Sequence, residues 1–84
     1  MTMESILEAT SARITGDSTM LVEFNDSKKY LIDMSRYFGL PVFSPLRDQS
    51  LFSDFELRDG LVTWMDGEID IAPETMQRDG EAVS

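Results

Sequence analysis

The sequence predicts an α+β domain: a small antiparallel sheet of about four to five strands, built from two hairpins, with short helices at about 35–38, 45–52 and 73–78. Two hairpin patterns and two proline-marked helix starts carry that expectation. Asp59-Gly60 is a tight reversal signal, because both central positions of a two-residue hairpin turn need positive φ. Placing that pair at a tip sets Arg58 opposite Leu61, Leu57 opposite Val62, Glu56 opposite Thr63 and Phe55 opposite Trp64. Phe55, Leu57, Val62 and Trp64 then share one apolar face, while Asp54, Glu56, Arg58 and Thr63 fall on the other. Trp64 is expected in the core.

From the start of the chain, residues 1–5 are expected to fray. Ile6 to Ile14 alternates and is rich in Ile, Thr and Ser, which favours a strand. Met3, Ile6, Leu7 and Thr10 also share helical spacing, so a helix over residues 3–10 is the alternative. Gly16-Asp17-Ser18 is a turn cluster. Thr19 to Phe24 and Lys29 to Met34 read as a second hairpin around Asn25-Asp26-Ser27-Lys28, with Phe24 opposite Tyr30, Val22 opposite Ile32 and Met20 opposite Met34. Lys28 and Lys29 near its loop discourage edge-to-edge association.

The periodicity changes after Met34. Ser35 suits the cap of a short helix through Phe38, with Gly39 at a left-handed end. Ser44-Pro45 starts the next, proline at the first helical position having no amide hydrogen to waste. Leu46, Leu51 and Phe52 turn inward; Arg47, Asp48 and Gln49 face water. Asp66-Gly67 ends the strand after the hairpin, Ile69 and Ile71 alternate with Glu68 and Asp70, and Pro73 opens a last helix with Glu74 near its positive end. One domain over residues 1–78 and a disordered tail over 79–84 complete the expectation.

Composition narrows the chemistry. The chain has neither Cys nor His, so it offers no disulfide, no thiolate zinc site and no imidazole base or ligand. Serine nucleophiles have no histidine to activate them, and no glycine-rich phosphate loop is present. Asp66, Glu68 and Asp70 stand at the first, third and fifth positions of a calcium loop, but Ile71 and Gln77 occupy the positions that require Gly and Glu. No catalytic residue, cofactor or metal is expected, and the chain reads as a non-enzyme. With no apolar run long enough to span a bilayer and no basic-then-apolar start, the expected location is cytoplasmic.

The net charge is −9 and is unevenly placed: residues 1–46 carry six acids and four bases, residues 47–84 ten acids and three bases. This repels a phosphate backbone and favours a basic protein partner, so neither direct nucleic-acid binding nor membrane binding is expected. Asp54, Glu56, Asp59, Asp66, Glu68 and Asp70 form the candidate partner-binding acidic face.

The order of signals resembles the small bacterial family catalogued as domain of unknown function 2442. The resemblance covers about residues 6–78 and rests on Leu21–Asp26, Leu31–Ser35, Phe43–Asp48 with Phe52, Val62–Gly67 and Ile69–Glu74. Ser27 departs from it, standing where the family usually has Gly, which implies a longer loop here. The resemblance implies antiparallel strands with short helices. Some relatives carry an added helix-turn-helix, absent from these 84 residues, and some lie beside small proteins in toxin–antitoxin-like pairs. The resulting expectation is an acidic interaction module, a monomer or homodimer, that inhibits or regulates a basic partner, either antitoxin-like or a nucleic-acid mimic such as a phage anti-defence protein. The alternative is a sensory or structural half of a transcription regulator whose DNA-binding part lies on another chain; a small hydrolase comes third.

Overall fold

Asp59 and Gly60 take φ of 51° and 80°, the left-handed pair that the hairpin requires. In the computed structural model, which describes residues 6–83, they join β4 (Glu56–Arg58) to β5 (Leu61–Trp64). Glu56, Leu57 and Arg58 face Thr63, Val62 and Leu61, in the expected register. Phe55 lies just outside the strand. β6 (Ile69–Ile71) pairs on the far side of β5, so these strands form a three-stranded antiparallel sheet of their own.

The earlier strands form a second sheet. β1 (Ala9–Ile14), β2 (Thr19–Phe24) and β3 (Lys29–Asp33) run as a meander, and β7 (Glu81–Val83) returns to pair with β3. The α+β class therefore stands, but the described residues form seven strands in two sheets rather than one sheet of four to five. The disordered tail over 79–84 is corrected for its described part: α2 ends at Asp79, and residues 81–83 pair with Lys29, Tyr30 and Leu31. The free backbone of β3 rewards pairing even by a polar segment. Gly80 makes that return fit, since an added Cβ would stand 2.6 Å from the Met76 carbonyl and 2.9 Å from Ile32.

β1 favours strand over helix but starts at Ala9 rather than Ile6, residues 6–8 belonging to neither. A bulge between Ala9 and Ser11 moves the chain from one alternating set to the other. Ala9, Ala12 and Ile14 can then all face the core, which unbroken alternation forbids. The expected fraying of residues 1–5 lies outside the described residues.

In the β2–β3 hairpin, Val22 faces Tyr30 and Met20 faces Ile32, a two-residue shift from the expected register. A shift of two preserves faces, so Met20, Val22, Phe24 and Ile32 remain buried together. The shift arises because Ser27 itself adopts φ of 69° and closes the loop tightly, its amide donating to the Phe24 carbonyl at 3.0 Å. Ser27 thus holds a left-handed position that glycine adopts without steric cost.

Three helix boundaries also differ. Met34–Tyr37 forms a 3-10 turn capped by Asp33, whose carboxylate accepts from both the Ser35 amide and hydroxyl. Ser35 is therefore a donor to the cap, and Gly39 is not left-handed. The expected 45–52 helix splits into a 3-10 turn (Ser44–Arg47) and α1 (Gln49–Ser53). Asp48 breaks it by adopting an extended backbone and capping α1, accepting from the Ser50 and Leu51 amides. α2 (Pro73–Asp79) begins at proline as expected, with Glu74 in its first turn and Arg78 in its last.

One apolar core joins the two sheets and the helices: Met20, Val22, Phe24 and Ile32 from one sheet, Val62, Trp64, Ile69 and Ile71 from the other, and Leu46, Phe52 and Met76 from the helices. Trp64 is fully buried, stacks on Phe52 with ring centroids 6.1 Å apart, and donates its indole N–H to the Phe52 carbonyl at 2.8 Å. The sheets meet where the Ala9 amide donates to the Gly60 carbonyl at 2.8 Å. Asn25 anchors the approach to β1, donating to the Ile6 carbonyl and accepting from the Glu8 amide. Among the described residues no helix is long and apolar enough to cross a membrane.

Candidate functional site

The acid-rich stretch is confined to the three-stranded sheet and its flanks. Between Asp54 and Asp70 lie six carboxylates and a single cation, Arg58. Across the sheet, Glu56 stands opposite Thr63 and Thr63 opposite Asp70, so the three side chains share one face. With strands about 4.8 Å apart, Glu56 and Asp70 are separated at their backbones by about 10 Å.

Arg58 organises that face. It follows Glu56 by two residues on the same strand, and its guanidinium reaches Glu56 Oε1 at 3.0 Å, Asp66 Oδ1 at 3.2 Å and the Asp66 carbonyl at 3.1 Å. The side chain thus bridges β4 to the turn that follows β5. Thr63, expected on the solvated face, is instead buried and donates its hydroxyl to the Glu56 carbonyl at 3.2 Å. The reason is its central strand, flanked by Glu56 on one side and Asp70 on the other.

The turn itself is unusual. Met65, Asp66 and Gly67 take successive φ of 55°, 58° and 89°, and the Gly67 amide donates to the Trp64 carbonyl. A left-handed Met is disfavoured by its Cβ, so this conformation is held by the surrounding contacts, of which the Arg58 grip on Asp66 is one. Met65 is left 39% exposed beside the acids. An open-sided depression of about 200 Å³ lies there, lined by Leu51, Asp54, Glu56, Met65 and Asp66.

The six proposed acids therefore divide. Asp54, Glu56 and Asp66 line one depression, and Asp70 shares the face of Glu56. Glu68 belongs to the turn at the same end as Asp66. Asp59 sits at the opposite end of β5, in the reversal docked on Ala9, and is separated from the others. Among the described residues, Asp54, Asp59, Glu68 and Asp70 make no ion pair. No group of three or more acidic side chains among the described residues is placed to hold a metal ion. The arrangement offers outward acceptors for cationic side chains, with two apolar side chains, Leu51 and Met65, among them.

Sequence reasoning missed Arg58 and Met65. The i, i+2 spacing of Glu56 and Arg58 was a legible pairing signal. Nothing local signals a left-handed Met65.

A second polar cluster ties the first 3-10 turn to the end of α2. Tyr37 donates to Asp79 Oδ2 at 2.6 Å, Arg78 donates to both Asp79 oxygens at 3.0 Å, and Arg36 donates to the Asp79 carbonyl at 2.9 Å. The hydrogen bonds from Arg78, then from Tyr37, hold the Asp79 carboxyl well below the usual carboxylate range. Every member is engaged within the fold, which makes this cluster a clasp.

The family model described as "Protein of unknown function (DUF2442)" matches residues 9–81, and the chain belongs to that family. No curated protein matches the chain. No solved structure matches it either.

Proposed function

We propose that this family member is a non-catalytic interaction module that binds a basic protein through the acidic face of its three-stranded sheet, and thereby inhibits or regulates that partner. The observation that carries the reading is the gathering of Asp54, Glu56, Asp66 and Asp70 around one side of the sheet, with Arg58 already engaged by two of them. A surface of that sign steers a cationic partner and rejects nucleic acid. Phosphate-binding grooves on other proteins are the natural counterpart, because their Lys and Arg donate to carboxylate oxygens as they do to phosphate oxygens.

Retention of basic nucleic-acid-binding proteins from a bacterial lysate on the immobilised chain, followed through a salt gradient, tests this. The variant Asp54→Asn/Glu68→Gln/Asp70→Asn removes charge without touching the Arg58 bridge. A saturable partner, eluted by salt and lost from the variant, is the expected result. Equal retention by the variant, or no protein retained at low salt, refutes the reading.

A further inference from the structure

The four-stranded sheet packs only one face on the core, and on its other face two ordered rows cross all four strands, with Thr19 opposite Asp33 beyond them on β2 and β3. One row runs Ser11, Glu23, Lys29, Val83 across β1, β2, β3 and β7; the next runs Arg13, Leu21, Leu31, Glu81. Leu21 and Leu31 are partly exposed at the centre, and Val83 is 41% exposed at the edge. A depression of about 290 Å³ lies over this face, lined by Ser11, Ala12, Arg13, Leu21, Glu23 and Lys29. Among the described residues Arg13, Glu23, Lys29 and Glu81 form no ion pair within the chain.

These rows complement themselves. A two-fold axis parallel to the strands, midway between β2 and β3, lays β2 over β3 of a second copy and β1 over its β7. Each residue then faces one from the same row. Leu21 meets Leu31 of the second copy, Arg13 meets its Glu81, Glu23 meets its Lys29, and Ser11 meets its Val83. The two-fold running across the strands instead sets Glu23 against Leu21 and Lys29 against Leu31, placing charges on leucines without partners. We propose that this face is a homodimer interface, with sheets packed face to face about 10 Å apart around the strand-parallel axis.

Charge explains why this face serves. The chain carries −9, which opposes self-association, yet the two full rows hold two bases and two acids and balance, with Asp33 beside them the one surplus acid of the face. Its footprint, four strands about 4.8 Å apart and about five residues tall, is on the order of 300 Å² per copy, below a standard interface. The dimer is accordingly weak, with a dissociation constant in the micromolar range or above.

Sedimentation velocity of the full chain from about 10 μM to about 1 mM, with two charge reversals, tests this directly. The wild type should shift from monomer to dimer across that range. Arg13→Glu sets like charges against Glu81, Glu81→Arg does so against Arg13, and each alone should weaken the dimer at least about tenfold. An equimolar mixture of the two variants should form a heterodimer, because each then presents the charges that the other lacks. A wild type still monomeric at the top concentration, or reversals that leave its dimer unchanged, or variants that fail to rescue each other, overturns the assignment. Should either reversal unfold the chain, Arg13→Gln and Glu81→Gln are read by the same measurement, and an undiminished dimer in both overturns it equally.

Discussion

Tyr37 shows how one side chain couples the fold to pH. Burial, then the hydrogen bond to Asp79, pushes its pKa up to about 12. The ordinary value is about 10, so the neutral phenol favours the folded state fully below about pH 10, and that contribution is lost as pH rises from about 10 to about 12. Urea unfolding across that window should show stability falling with pH. In Tyr37→Phe the chain should be less stable near neutrality, through the lost hydrogen bond, but most of the alkaline slope should disappear. A slope identical to wild type would place the alkaline sensitivity elsewhere. Asp33, Asp48 and Asp79 act in the opposite direction: hydrogen bonds hold each carboxyl low, so their stabilisation is present above the ordinary carboxylate range and is lost as pH falls below it.

At the scale of elements, the Asp59-Gly60 reversal is the firmest piece. Gly60 has φ of 80°, and a Cβ there would lie 2.6 Å from the Glu8 side chain. Gly60→Ala should therefore destabilise by more than about 1 kcal/mol in urea denaturation, combining left-handed strain with a clash. A neutral result would show the reversal to be dispensable. This hairpin was legible in the sequence because turn chemistry and apolar alternation agree on one register. Other elements were less so. The β1 bulge cannot be read from alternation, since its purpose is to interrupt it. Asp33 and Asp48 are caps whose serine neighbours compete for the same role, and only the backbone angles decide between them. β7 is invisible because three exposed residues with no apolar pattern are held by β3 alone. In the candidate site, the acids were legible as a charge bias, whereas their grouping depended on β6 pairing with β5 and on Arg58 reaching the Asp66 turn.

For the whole molecule, Trp64 is where the two sheets and α1 share one interior. Its indole stacks on Phe52 and satisfies the Phe52 carbonyl, and no buried side-chain nitrogen or oxygen among the described residues lacks a partner. Trp64→Ala should cost about 3–5 kcal/mol, a large part of the stability of so small a domain. An unchanged melting temperature would mean that the sheets are stabilised independently. With both sheets fixed to one core, the acidic face and the leucine-centred face belong to separate sheets, and each proposal is tested without disturbing the other. The most direct measurement of the central claim follows backbone amide shifts of the labelled full chain during titration with a basic protein co-purified from its host. Saturable shifts concentrated in residues 54–70, abolished in the Asp54→Asn/Glu68→Gln/Asp70→Asn variant, are the predicted result. Shifts centred on the four-stranded sheet, or unaltered by that variant, would contradict it.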